Sequence, residues 1–505
     1  MADSGIPADD KNITRRSFKA AGWVLIIQFT MQFVQILLGI CMARLLTPED
    51  YGTIGMLSIF WAISEVFIAG GFGQALIQRK EITETDLCSV FCYNIFLSFL
   101  CFALMNLSAR RIALFYGQDV LEPMIRIMAW TLPISALSAV QRVFLSRQLK
   151  QFFVTVSTLV SNLTAGLIAI LLAQRGAGVW ALVWQRVIAS ILFTVSVFLF
   201  VRWIPKPKFS FKALASLFSY GSKLLAIDLL DAFVMNFTNA VIGKRETKAT
   251  LGFYTRSKLF ARLWPFSVQG AIATVLFPAF SKIQDDFPRL RSAFRRSLAL
   301  STFATIFLSL LLCVLCRPII LLFLGEKWLP CIPFWWLITF TVLFFPIQML
   351  NVQLLKAMGR SDLYLLLEIL KKILYAVQIV ILIRWGIMPM LWSEIAFSLV
   401  CVYMNSYFTG RDLQYGLFAQ IRDFSPYALI TAPACLFAWE LYWIIARISP
   451  WAGLITGAFA GIFVYLALNR IFKTPALHEF VTLAGSKFPV IKKIFLYENA
   501  AKPTR

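Results

Sequence analysis

The chain has 505 residues, of which 59% are hydrophobic and only 14% charged, with a mean hydropathy of +0.76. Soluble domains carry about 45–50% apolar and 25% charged residues, so that class is excluded and the chain belongs in a bilayer. The net charge of +23 reads as a topology signal and an attraction to anionic lipid, not as a nucleic-acid footprint.

The first residues, MADSGIPADDKNITRRSFK, run from acidic to basic and read as a polar cytoplasmic tail over 1–17. The apolar run behind them is far longer than the roughly 7–15 residues of a signal-peptide core and lacks a clean cleavage site, so it is a retained helix. Backbone groups in hydrocarbon must bond internally, and apolar runs of about 20 residues therefore become helices. Fourteen are expected, at 18–43, 50–77, 85–108, 119–144, 150–173, 177–201, 213–243, 249–277, 294–323, 329–355, 361–385, 387–410, 424–446 and 451–471. The connections near 202–212 and 278–293 are the longest, and neither holds a folded domain. Most of the 48 Lys and Arg fall in loops on the side of the N-terminal tail, which places both termini in the cytoplasm. The nine cysteines lie in or beside apolar runs, and Cys313 with Cys316 reads as two small hydrophobes despite its CxxC spacing. A single histidine, His478, argues against His-based metal sites and triads.

Between the first two runs stands a polar island, ARLLTPEDYGTIGM (43–56). Thr47 is placed as an N-cap, Pro48 at the first helical position and Asp50 three residues after the cap. GKRETKATLGFYTR (243–256) repeats the pattern, with Lys244, Thr247 and Gly252 in register with Arg44, Thr47 and Gly52. LSRQLKQFF (145–153) and LKAMGRSDLY (355–364) echo each other in the same way. The expected fold class is therefore an all-α integral membrane protein. It comprises two six-helix pseudo-repeat lobes, 18–202 and 213–410, joined by a cytoplasmic linker at 203–212. Helices thirteen and fourteen (424–471) and a cytoplasmic tail (472–505) follow. Such an architecture suits alternating access with a site between the lobes near the midplane.

The run from Phe18 to Arg79, with ARLLTPEDYG at its centre and GGFGQALIQRK (70–80) at its end, resembles the polysaccharide transporter branch of the multidrug/oligosaccharidyl-lipid/polysaccharide exporter superfamily. GAGVWALVWQR (176–186), FSYGSKLLA (218–226) and LGFYTRSKL (251–259) are similar to marks of the same family, and the resemblance is good over about residues 17 to 270. It implies a flippase, not an enzyme, in a bacterial inner membrane. Such flippases move an undecaprenyl-pyrophosphate-linked sugar unit from the cytoplasmic to the periplasmic leaflet. The cargo is a lipid-linked oligosaccharide for O-antigen, exopolysaccharide, colanic-acid-like or teichuronic-acid-like polymers. The partners implied are membrane lipids, a polymerase and a chain-length regulator, with no cofactor beyond H+ or Na+ coupling.

A charge at helix centre costs on the order of 2.5–3.5 kcal/mol, so deep charges usually face a wet cavity or a partner. Lys258 and Arg262 share one face of helix eight, while Arg256 points elsewhere. Pyrophosphate needs cations in an aqueous cavity, and arginine's planar fork binds phosphate oxygens in pairs. Arg262 and Lys258 are therefore the expected first contacts, with Arg126 and Arg186 secondary. The plainer reading of Arg256, Arg126 and Arg186 is snorkelling to the headgroups. Asp228, Asp231 and Glu65 are placed to take up a coupling ion, or to pair with Lys223 and the helix-eight arginines. Glu368 reads as self-paired with Lys371 and Lys372, while Glu394 and Glu440 have no assigned partner. Gly70, Gly71 and Gly73 crowd the inner end of helix two, and Pro265 interrupts helix eight beside Arg262; these are the hinge candidates.

Three other functions share the membrane setting. A drug or organic-cation antiporter of the MATE type wants an acidic or apolar cavity, which the deep basic residues oppose. A membrane polymerase or glycosyltransferase of the same pathway generally needs a sizeable outer loop, and none exists. A plain lipid scramblase differs only in energy coupling.

Overall fold

The computed structural model describes residues 30–69, 71–79, 81–148, 150–201, 203–206 and 208–485. Among them every regular element is a helix, as hydrocarbon demands of a backbone with no water to bond. In chain order these are α1 (Thr30–Leu45), α2 (Pro48–Ala69), α3 (Phe72–Gln78), α4 (Glu84–Tyr116), α5 (Leu121–Ala129), α6 (Thr131–Arg147), α7 (Gln151–Gln174), α8 (Val179–Phe200), α9 (Phe211–Arg245) and α10 (Lys248–Ser281). They continue with α11 (Phe287–Val314), the short α12 (Cys316–Ile319), α13 (Cys331–Val342), α14 (Phe345–Ala357), α15 (Ser361–Leu382), α16 (Ile387–Leu413), α17 (Leu417–Ala446), α18 (Pro450–Ile471) and α19 (Pro475–Gly485).

Eleven helical stretches among the described residues are long and apolar enough to cross a membrane, where the sequence suggested fourteen. α1 is too short because residues 18–29 of its expected run lie outside the described residues. α10 and α15 stand at two further expected places; α15 carries Glu368, Lys371 and Lys372 within its length. The chain is a multi-pass, all-helical membrane protein.

The helices group into two compact units, residues 1–252 and 253–505. In the first, α2 packs along α9 and α4, α7 pairs with α8, and α6 lies against α4 and α8. α9, which the sequence reading placed at the head of the second lobe, packs against α2, α3 and α4 and so groups with the first unit.

The polar island answers to two constraints. Thr47 and Asp50 form a reciprocal cap, the Asp50 amide donating to Thr47 Oγ1 at 3.3 Å and the Thr47 amide to Asp50 Oδ2 at 2.9 Å. Thr247 caps α10 the same way, its Oγ1 accepting from the Thr250 amide at 3.1 Å. The glycines five residues on are a matter of space. A Cβ on Gly52 would stand 1.8 Å from the Lys248 carbonyl oxygen, and one on Gly252 would stand 1.9 Å from the Pro48 carbonyl oxygen. Each turn thus seats its own helix start on the other's glycine, and hydrogen is the only side chain that fits.

A second close approach lies at the far end of α2. Gly71 has φ 61° at the break between α2 and α3, and its Cβ would fall 2.2 Å from the Gly221 carbonyl oxygen. Arg147 closes this corner, its Nη1 donating to the carbonyls of Leu76 at 2.6 Å and Ile77 at 3.2 Å, the orphan acceptors at the end of α3. A Cβ on Gly73 would stand 3.3 Å from Val143, and Gly70 lies outside the described residues. Residues 71–79 of this segment therefore form a packed corner.

In the second unit α17 and α18 form a hairpin whose contact rides on Gly453, Gly457 and Gly461, a small-xxx-small ridge that brings Gly457 against the Ala438 carbonyl. Within the tail expected at 472–505, α19 is docked: Ala476, Leu477 and Val481 are buried against Phe303, Tyr427 and Tyr465, and the Ala476 amide donates to the Tyr427 hydroxyl. Its apolar face is too short to read as a membrane run but long enough to dock.

Replacing Gly52 or Gly252 by alanine should each cost at least the ~1–3 kcal/mol of overpacking, because the obstacle is backbone. The pair should be less than additive, since the first substitution already parts the two turns. Thermal unfolding of the purified single and double variants, followed by tryptophan fluorescence, measures both effects.

Candidate functional site

The first unit holds a cavity of about 310 Å³ between α2, α6, α7 and α8, lined by Glu65, Arg142, Arg186 and a run of hydroxyl and amide side chains that includes Ser135, Thr158, Asn162 and Ser190. Glu65 and Arg186 are exposed although both lie within long apolar helices, because they face this cavity. Glu65 Oε1 accepts from Trp61 Nε1 at 3.0 Å, and the Arg186 guanidinium lies 5.7 Å from the centre of the same indole ring. Arg142 lies 5.6 Å from the centre of the Phe193 ring. Both arginines feel the Glu65 charge. No ion pair joins either of them to it among the described residues, so their forks stay open toward the cavity. Two cations against one acid leave a surplus positive charge, surrounded by groups able to hydrogen-bond oxygen-rich ligands.

The second unit carries a matching set. Glu394 of α16 is 4% exposed; its Oε1 accepts from the Tyr375 hydroxyl at 3.0 Å, and its charge interacts with Arg262 and Lys258 of α10. The Lys258 ammonium lies 5.4 Å from the Tyr254 ring centre and the Arg262 guanidinium 5.8 Å from that of Phe266. Arg262 Nε is buried without a hydrogen-bond partner among the described residues. Again two cations share one acid. The local chain traces are alike too. α8 and α16 both start after a glycine of positive φ, Gly178 (54°) and Gly386 (102°). In each a tryptophan follows, Trp184 or Trp392, and two residues later comes the charge, Arg186 in one and Glu394 in the other.

The sequence profile described as "Polysaccharide biosynthesis protein" matches residues 41–333, more than half of the chain. The chain belongs to this polysaccharide biosynthesis protein family. It is 24% identical over 435 residues to the teichuronic acid biosynthesis protein TuaB of Bacillus subtilis (strain 168), spanning 85% of this chain and 89% of that one. With the lipopolysaccharide biosynthesis protein WzxC of Escherichia coli (strain K12) it shares 24% identity over 381 residues, 74% of this chain and 75% of the relative. Its fold is that of the lipid II flippase MurJ in an inward closed conformation, with a TM-score of 0.74 over 89% of this chain and 98% of MurJ at 16% identity.

Within this member of the polysaccharide biosynthesis family, the residues singled out by sequence fall into three groups. Lys258 and Arg262 come together with Glu394, and Glu65 comes together with Arg186. Arg256 faces the other way, where its charge acts on Cys331. Arg126 lies outside the cavity, exposed and paired with Glu122 one turn earlier at 2.6 Å. Asp228 and Asp231 of α9 do not line the cavity either. α10 runs through Pro265 without a break in its helix assignment. Glu368 pairs with Lys371, as its spacing suggested.

Arg142 and Glu394 were missed. Arg142 sits close to the expected end of its run at 144, where a basic residue reads as a loop charge, but α6 continues to Arg147. Glu394 could have been found by laying GVWALVWQR (178–186) over GIMPMLWSE (386–394).

Glu394 is enclosed, so Glu394→Gln removes a buried counter-charge of Lys258 and Arg262 and should cost about 3–5 kcal/mol, the usual effect of breaking a buried charge pair. Tyr375→Phe, which removes one hydrogen bond to a charge, should cost about 1.5–3 kcal/mol. Glu394→Gln combined with Lys258→Gln should recover part of the loss. Chemical denaturation of the four purified proteins checks the order.

Proposed function

We propose that the chain is a transporter that moves a lipid-linked oligosaccharide from the cytoplasmic to the periplasmic leaflet of a bacterial inner membrane, with both termini in the cytoplasm. The observation that carries this reading is the open pair of guanidiniums, Arg142 and Arg186, in a hydroxyl-lined cavity at membrane depth. Arginine forks suit phosphate oxygens, and serine, threonine and asparagine side chains suit sugar hydroxyls. The membership of the polysaccharide biosynthesis family and the flippase fold of MurJ support the same class of cargo.

The cargo head is a polyprenyl pyrophosphate, undecaprenyl in bacteria, bearing a short sugar unit. Its two phosphates are held first by the cations that each unit keeps in surplus over its acid, Arg142 and Arg186 in one and Lys258 and Arg262 in the other. Transport proceeds by alternating access, with no covalent step. Glu65 is the acid best placed for coupling, because a proton or sodium ion taken up there would raise the surplus positive charge that the two arginines offer the anionic cargo, and its release would lower it again. Asp228 and Asp231 remain candidates for the same ion. Gly71, Gly73 and Pro265 are the positions at which α2, α3 and α10 would flex. A polymerase and a chain-length regulator would consume the product on the far side.

A strain deleted for this protein should accumulate the polyprenyl-pyrophosphate oligosaccharide in the inner leaflet, identified by mass spectrometry of extracted lipids with leaflet accessibility. Wild type and Arg126→Gln should clear it. Arg142→Gln with Arg186→Gln should leave export at least about ten-fold lower, the loss expected of two charged contacts. Normal clearance by that double variant, present at wild-type level, would rule out these arginines as phosphate contacts.

A further inference from the structure

The second unit contains a larger pocket, about 590 Å³, away from the Lys258–Arg262–Glu394 set. It lies where the first turns of α11 and α17 meet α19, at the end of the unit that carries the connections 282–286, 414–416 and 472–474. Four arginines line it, Arg291, Arg295, Arg296 and Arg422, against two carboxylates, Asp423 and Glu479.

The pairing inside the pocket is uneven. Arg295 clasps Asp423 through Nε at 2.7 Å and Nη2 at 3.1 Å, and Tyr415 also donates its hydroxyl to that carboxylate. Arg296 Nε stands 3.6 Å from Glu479, a looser contact with the arginine largely exposed. Burial holds the Glu479 carboxyl above its ordinary range, against the pull of Arg296 and His478. Arg291 lies against the Tyr415 ring at 5.8 Å, and neither it nor Arg422 makes an ion pair among the described residues. Two guanidinium forks thus line the pocket without a carboxylate partner among the described residues, that of Arg291 lying over an aromatic face.

The rim is apolar. Phe287 precedes Pro288, Ile421 precedes Arg422 and Phe480 follows Glu479, and all three are exposed, as is Phe418 one turn before Arg422. A soluble anion would gain nothing from such a border. A molecule with phosphate at one end and acyl chains at the other satisfies both parts, and basic pockets between helices near the membrane surface favour such headgroups.

We propose that this pocket binds the phosphate headgroup of an anionic bilayer phospholipid, with Arg291 and Arg422 as its open contacts and the α11, α17 and α19 rim as the seat of its acyl chains. The occupant would tie α19 to α11 and α17, since Arg296 with Glu479 joins α11 to α19 and Arg295 with Asp423 joins α11 to α17 across the same pocket. The inference stands apart from the flippase reading, because it concerns a resident lipid and not the cargo.

The test uses the full-length protein in neutral detergent, with native mass spectrometry to count bound lipid during titration with phosphatidylglycerol. Phosphatidylethanolamine and sodium pyrophosphate serve as comparators. Wild type should bind phosphatidylglycerol in preference to both. Arg291→Gln with Arg422→Gln should weaken that binding about thirty-fold, Arg422→Gln alone about five-fold, and Arg289→Gln with Lys282→Gln, outside the pocket, less than two-fold. The single variant keeps the test open if the double does not fold. The proposal is overturned if the pocket variants bind phosphatidylglycerol as wild type does, if the control pair loses as much, or if phosphatidylethanolamine binds equally. It is also overturned if pyrophosphate displaces the lipid at equal concentration, which would make the pocket a site for a soluble anion or for the cargo head.

Discussion

A guanidinium or ammonium at membrane depth needs water or a counter-charge, and the interior of each unit is organised around that requirement. In the first unit Arg142 and Arg186 share Glu65 and open onto a cavity edged with hydroxyls. In the second, Lys258 and Arg262 share Glu394, which is itself held by Tyr375. Each arrangement sets two basic side chains against one carboxylate. The aromatic rings beside these cations, Trp61, Phe193, Tyr254 and Phe266, hold them without neutralising them.

Helix packing is subordinate to backbone contact at a few glycines. Gly52 and Gly252 let two capped turns touch through their main chains, and Gly71 with Gly221 does the same at the other end of α2. Between these two crossings α2 presents Glu65 to the cavity, its carboxylate accepting a hydrogen bond from the buried Trp61. The family motif in the polar island is thus a structural device: it fixes the ends of the helix whose middle carries the acid.

The sequence made the class of fold plain, because a hydropathy of +0.76 leaves few alternatives, and the Thr47 cap could be read residue by residue. What it hid follows from what one-dimensional patterns lack. Helices stand at all fourteen expected places, but α15, where charge interrupts the apolar run, α10, and α1, whose first half lies outside the described residues, are not among the stretches long and apolar enough to cross a membrane. α19 escaped notice because an eleven-residue helix that docks on a finished core needs only a short apolar face. At the candidate site, Lys258 and Arg262 were legible because both are basic and four apart. Arg142 was not, because its depth depends on where α6 ends. Glu394 lacked a visible partner because its partners lie on helices distant in sequence. Arg126 instead makes a local pair with Glu122, which its spacing already offered.

The most direct test is reconstitution of the purified protein into liposomes containing a polyprenyl-pyrophosphate oligosaccharide, measuring the fraction of sugar exposed to an added glycosidase over time. The account predicts that wild-type protein raises this fraction above that of empty liposomes and that Arg142→Gln with Arg186→Gln abolishes the increase. Equal protection of the sugar with and without the protein, under either sign of an imposed proton or sodium gradient, would contradict it.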